Sequence, residues 1–138
     1  MQNRSYLLYL SFALMALLGL LHIMATFFYF YWTYWWFDWI THFLAGLAGG
    51  LAAYWALFNS SILRNPYRRV FPVILIVFLC VMAAGAAWEI FEYAIDVTDS
   101  YEAVYALDVF HDLLADALGA IVAAFIGIKH TLGGSTAK

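Results

Sequence analysis

The chain has 138 residues, of which 67% are hydrophobic and 11% charged, with a net charge of −3. Soluble domains average about 45–50% apolar and about 25% charged residues, so a water-soluble domain is excluded and an integral membrane protein implied. Six scattered Lys and Arg residues offer no basic surface for nucleic acid, and Cys80, the only cysteine, can form no internal disulfide.

In chain order, four apolar runs reach the length of about 20 residues that crosses a hydrocarbon core: residues 6–30, 37–58, 70–95 and 108–128. The runs lack period-2 alternation and the chain is too short to close a barrel of usual size. The expected fold is therefore all-α: one transmembrane domain over residues 1–138, a four-transmembrane-helix bundle. The first run follows Arg4, as in a signal peptide. It is about 25 residues long, against 7–15 for the apolar part of a signal, and no A-x-A site follows it, so an uncleaved anchor is expected.

An aromatic turn at residues 31–36 comes next. Trp32, Trp35, Trp36 and Trp39, with Tyr29, Tyr31 and Tyr34, mark a membrane interface, either as an ordinary aromatic belt or as a platform for a lipid headgroup or substrate. A basic loop at residues 59–69 holds Arg64, Arg68 and Arg69. With Arg4, Lys129 and Lys138 it falls on one side of the membrane, which the positive-inside rule assigns to the cytoplasm together with both termini. Pro66 and Pro72 fit a loop and a first helical turn and introduce no kink.

The nine acids, Asp38, Glu89, Glu92, Asp96, Asp99, Glu102, Asp108, Asp112 and Asp116, fall at the opposite, extracytoplasmic side or dip inward from it. Their spacing gives each helix a polar face. Asp38 and His42 stand at i, i+4 above Ala45, Gly46 and Gly49. Glu89 and Glu92 stand at i, i+3 and share a face with Gly85, and Asp108, Asp112 and Asp116 form i, i+4 steps above Gly119 and Ala123. Small residues at spacing four let membrane helices approach closely, so a tight inner half and an outer half splayed into a polar cup are expected. At 1.5 Å per residue Glu89 lies about 10 Å inward of Asp96, and Asp116 about 12 Å inward of Asp108.

Each acid has a structural and a functional reading. Asp38 and Asp108 begin their helices from outside, where carboxylates also serve as caps. Asp96, Asp99 and Glu102 read as a solvated loop. Glu89 and Glu92 lie near a helix C-terminus, where negative charge is disfavoured, which favours function. His111 sits at the edge of the acidic face, and His22, with Thr26 one turn on, reads as a satisfied polar residue. A salt bridge to Lys or Arg is not open to the deep acids, since none is expected on that side. Protonated carboxyls, imidazoles of His22, His42 and His111, water or a bound cation remain. A divalent cation, Zn²⁺, Mn²⁺, Mg²⁺ or Fe²⁺, held by His42, Glu89, Glu92, Asp112, Asp116 and His111 is the economical solution, with Asp116 or Asp38 as general base. No G-x-S-x-G, P-loop or Cys/His pairing is present.

In the segments FDWITHFLAG (Asp38, His42), GAAWEIFEY (Glu89, Glu92) and DVFHDLLADALGA (Asp108, Asp112, Asp116), the chain resembles the VanZ-like membrane proteins and, within them, the YjdF-type inner-membrane proteins. The resemblance covers roughly residues 37–125 and implies a small helical-bundle membrane protein. The chain departs from the VanZ pattern in having Asp116 where an Asn is expected and no Lys after Asp38. Three functions are compatible with the residues. One is a metal-dependent hydrolase or transferase acting on a lipid or polyprenyl-linked substrate. The others are a cation- or proton-binding or transport module, expected as a homodimer or with a membrane-protein partner, and an accessory subunit of a membrane complex.

Overall fold

The long apolar runs fold as helices because a bilayer core offers the backbone no water, and only an intrachain ladder satisfies every N–H and C=O. The structure, a computed structural model, describes residues 5–60, 62–63, 70–95 and 105–135. Helix α1 spans Tyr6–Phe27. It stops short of residue 30 because Tyr29 adopts the left-handed conformation, with φ of 59°, and the chain reverses into the single turn α2, Phe30–Thr33. Thr33 Oγ1 ties this turn by donating to the Tyr29 carbonyl at 2.9 Å.

Helix α3, Phe37–Tyr54, runs on through a π-helical turn, Trp55–Asn59. Helix α4 spans Val70–Ala94, with Pro72 in its first turn, and α5 spans Tyr105–Ser135. Helix α5 extends past both ends of the apolar run at 108–128. Hydropathy locates the stretch that lipid covers, whereas the hydrogen-bonded ladder continues through polar residues such as Lys129 and Thr131. Four helices are long and apolar enough to cross a membrane, and no strand occurs among the described residues. Arg4, Arg64, Pro66, Arg68, Arg69, Asp96, Asp99, Glu102 and Lys138, with most of both expected loops, lie outside the described residues.

Helices α3 and α5 form the central pair, with α1 on α3 and α4 against both α5 and α3. The central pair is parallel: Gly46 meets Asp116, Gly50 meets Ala120 and Ala123, and Tyr54 meets Gly127, each contact one turn further along both helices. A Cβ on Gly50 would stand 2.6 Å from that of Ala123, and one on Gly46 or Gly119 would strike the partner backbone. The backbones therefore touch, as small residues allow in membranes. Gly49, expected in this seam, has nothing within 4 Å of its Cβ position; Gly50 takes its place. Tyr54 closes the inner end by donating to Thr131 Oγ1 at 2.9 Å, and that hydroxyl in turn donates to the Gly127 carbonyl at 2.7 Å.

Helix α4 buries a single stripe of Val73, Val77, Val81, Gly85 and Glu89, one residue per turn. Leu7, Leu51, Tyr54, Val73, Val77, Ala123 and Ala124 form the inner core. Ser11 Oγ fastens α1 to α3 by donating to the Ala48 carbonyl at 2.8 Å. Tyr6 stacks on His130 at 5.3 Å, so the start of α1 and the end of α5 share one face of the bundle. The deep acids lie toward the opposite end, beside the aromatic turn.

Candidate metal centre

The site assembles where α3, α4 and α5 meet. Asp38, in the first turn of α3, stands one turn before His42, and its Oδ1 lies 3.7 Å from His42 Nε2. The other imidazole nitrogen, Nδ1, lies 3.4 Å from Asp116 Oδ2 on α5. The histidine is thus bracketed by one carboxylate at each nitrogen. Asp112, one turn before Asp116, completes a group with Asp38 and His42 in which one ligand atom from each lies within 4.8 Å of the others. Such a group could hold a metal ion.

Glycines make this convergence possible. A Cβ on Gly85 would stand 2.6 Å from Asp116 Oδ2, and one on Gly46 would overlap the Asp116 backbone. Asp116 therefore fits only because α3 and α4 both present glycine to it. The same close approach shuts the expected open cup: His42 is 8% exposed, Glu89 7%, Asp112 3% and Asp116 3%. Asp38 and Glu92 remain half-buried.

Two of these acids each bury one oxygen without a hydrogen-bond partner among the described residues. The atoms are Glu89 Oε1 and Asp112 Oδ1, and the arrangement is a costly one for a carboxylate oxygen. His111 packs against Trp39, ring centroids 4.9 Å apart, outside the Asp38, His42 and Asp112 group. Asp108 is exposed in the first turn of α5.

Two neighbours of the site escape sequence reasoning. Thr41 Oγ1 donates to the Asp38 carbonyl at 2.7 Å and stands 3.1 Å from Asp38 Oδ1. Tyr31, in α2, is hydrogen-bonded to His22 Nδ1 on α1 at 2.8 Å. Burial pushes the Tyr31 phenol above its usual range; the Thr41 side chain opposes the rise, while Asp38 and Glu92 add to it. Thr41 could have been found from its i+3 spacing to Asp38. Tyr31 carried no signal beyond its place in the aromatic belt. Thr26, expected to accompany His22, donates instead to the His22 carbonyl at 2.9 Å.

Fold and site together define a multi-pass membrane protein with a buried carboxylate–imidazole cluster where three of its helices meet. The chain matches the family described as Predicted membrane protein (DUF2238) over residues 1–132, and it belongs to that family. Searches of curated proteins and of solved structures find no match.

Proposed function

We propose that this protein binds a divalent cation through Asp38, His42 Nε2 and Asp112, on the extracytoplasmic side of the membrane, and uses it on a lipid or polyprenyl-linked substrate. The observation that carries the reading is the pair of buried, unpartnered carboxylate oxygens on Glu89 and Asp112. One imidazole can balance at most one of the acids around it, and each further charge costs about 2.5–3.5 kcal/mol or more at the centre of a membrane helix. A cation satisfies both oxygen demand and charge. Metal–oxygen and metal–nitrogen bonds of about 2.0–2.2 Å place ligand atoms within about 4.4 Å of one another, so small rotamer changes close the group.

In this arrangement His42 ligates through Nε2 while Asp116 holds its Nδ1–H, the usual support of a metal-bound imidazole. Glu89 lies beside the ligands. Glu92 and His111 complete the polar surroundings. The cation would lower the pKa of a bound water, and the half-exposed Asp38 or the buried Asp116 would take the proton in a hydrolysis or transfer reaction. The aromatic belt around Trp39 supports a site near headgroup depth, and the segments that resemble VanZ-like proteins carry its acids and histidine on the same three helices. The positive-inside distribution supports both termini facing the cytoplasm.

Elemental analysis of protein purified without chelator tests the reading. Stoichiometric metal is expected in the wild type and little in Asp112→Asn or His42→Ala. Protein that carries no metal and titrates none would sink it. Glu89→Gln without effect on any lipid conversion would remove the enzymatic part while leaving the binding site.

A further inference from the structure

Helices α1 and α4 each pack on α3 but hardly on one another. At the inner end Leu7 of α1 and Val73 and Val77 of α4 share one core. Beyond it α1 has no buried residue between Ser11 and Ala25. Helix α3 is the floor between the two. Its His42 looks toward α4, since His42 and Gly85 both border Asp116 Oδ2, and its Ala48 looks toward α1 by accepting from the Ser11 hydroxyl. At about 100° per residue His42 and Ala48 stand about 120° apart round the helix, and Asp38, Gly49, Ala45 and Ala52 fall in that arc. The last three are partly exposed, and a Cβ on Gly49 would meet nothing within 4 Å. The strip therefore has open space above it.

We infer that this strip is the floor of a lateral groove that seats one acyl chain of a bilayer phospholipid, with the headgroup end at Asp38 and the cation proposed beside it; to that extent the inference rests on the reading above. The groove runs out at the candidate metal group, because Asp38 belongs to both. In that group Asp112, 3% exposed, keeps Oδ1 without a hydrogen-bond partner among the described residues. The dimensions select the occupant. Helices packed on α3 at about 9 Å and about 120° apart have axes about 16 Å from each other, and with diameters of about 10 Å they leave about 6 Å between them. That gap admits a hydrocarbon chain and not another helix. From Asp38 to Ala52 is about 21 Å along α3, against about 15 Å for the hydrocarbon of one leaflet, and the core of Leu7, Val73 and Val77 closes the inner end. An acyl chain fits that length, whereas a long polyprenyl chain would overrun it.

The groove is tested with the protein in dodecyl maltoside, irradiated with phosphatidylglycerol that carries a diazirine midway along its palmitoyl chain, and mapped by peptide mass spectrometry. Labels are expected on residues 45–52 of α3. Gly49→Phe fills the open space and should remove them, while labels on exposed Ile23 of α1 and the metal content of the protein stay unchanged; Gly49→Ala should keep them. A wild type unlabelled at 45–52, or equal labelling there in Gly49→Phe, would overturn the groove. Should Gly49→Phe aggregate, Gly49→Leu gives the same comparison. A photoreactive polyprenyl phosphate that labels the strip in preference to the phospholipid would overturn the acyl chain as occupant, and a disulfide-linked dimer of Ala52→Cys in a Cys80→Ser background would put a second copy in its place. Labelling without bound metal would sink the cation site and leave the groove; metal without labelling would do the reverse.

Discussion

Asp116 stands on the far side of His42 from Asp38 and touches Nδ1 rather than the face shared with Asp112. If it positions the imidazole, its substitution should weaken cation binding without abolishing it. Asp116→Asn keeps an acceptor for Nδ1–H and is expected to lower affinity about 10- to 100-fold, the range typical of groups that orient a metal ligand. Asp116→Leu loses the acceptor as well and should fall at or beyond the upper end. Calorimetric titration with Zn²⁺ or Mn²⁺ compares the two; wild-type affinity in Asp116→Leu would assign Asp116 no part in the site. The shared faces of Asp38 with His42 and of Asp112 with Asp116 were legible in the sequence because residues four apart stack on a helix. Which nitrogen of His42 meets which carboxylate was not, since that depends on how α3 and α5 are rotated against each other. The reach of Tyr31 across a reversed turn to His22 was equally hidden.

At the level of the helices, the parallel seam of α3 and α5 decides how close the acids come. Gly50 and Gly49 are adjacent in sequence, yet only Gly50 faces the partner helix. Gly50→Ala places a methyl group 2.6 Å from Ala123 and should cost about 1–3 kcal/mol as overpacking. Gly49→Ala meets nothing and should be neutral or stabilise by up to about 1 kcal/mol through helix propensity. Reversible unfolding in mixed micelles measures both, and equal effects would place the seam elsewhere. The existence of four helices could be read from hydropathy alone. Their ends could not: α1 stops at Phe27 because of the backbone at Tyr29, and α5 outlasts its apolar run at both ends. Small residues at spacing four announced a close approach but not which of two neighbouring glycines makes it.

For the molecule as a whole, the stack of Tyr6 on His130 gathers the start of α1 and the end of α5 at one face, and the acid cluster lies toward the other. The positive-inside rule predicts an orientation in the cell with both termini in the cytoplasm, which labelling tests. In a Cys80→Ser background, Tyr105→Cys should react with a membrane-impermeant maleimide in intact cells, and Ser60→Cys only after permeabilisation; the opposite pattern would invert the topology. The sequence sorts the charges onto two sides but leaves the acids in an open cup. Their burial arises from Gly46, Gly85 and Gly119, whose effect on depth of packing appears only once the helices are assembled.

The division of the cluster among helices also sets an order of assembly. Asp38 and His42 enter the bilayer early in synthesis, whereas Glu89, Asp112 and Asp116 arrive with the last two helices. Until α5 docks on Gly46 and Gly50, its carboxylates have neither the imidazole nor the glycine seam to receive them. Helix α5 should therefore integrate poorly when α4 and α5 are translated alone, at a penalty of about 2.5–3.5 kcal/mol for each acid near mid-membrane. Co-translation of a fragment carrying α1 to α3 should rescue it, as glycosylation-site mapping of the two halves would report. A cluster usually viewed as a destination for ligands is then first a checkpoint in biogenesis, admitting the second half of the chain only after the first is in place.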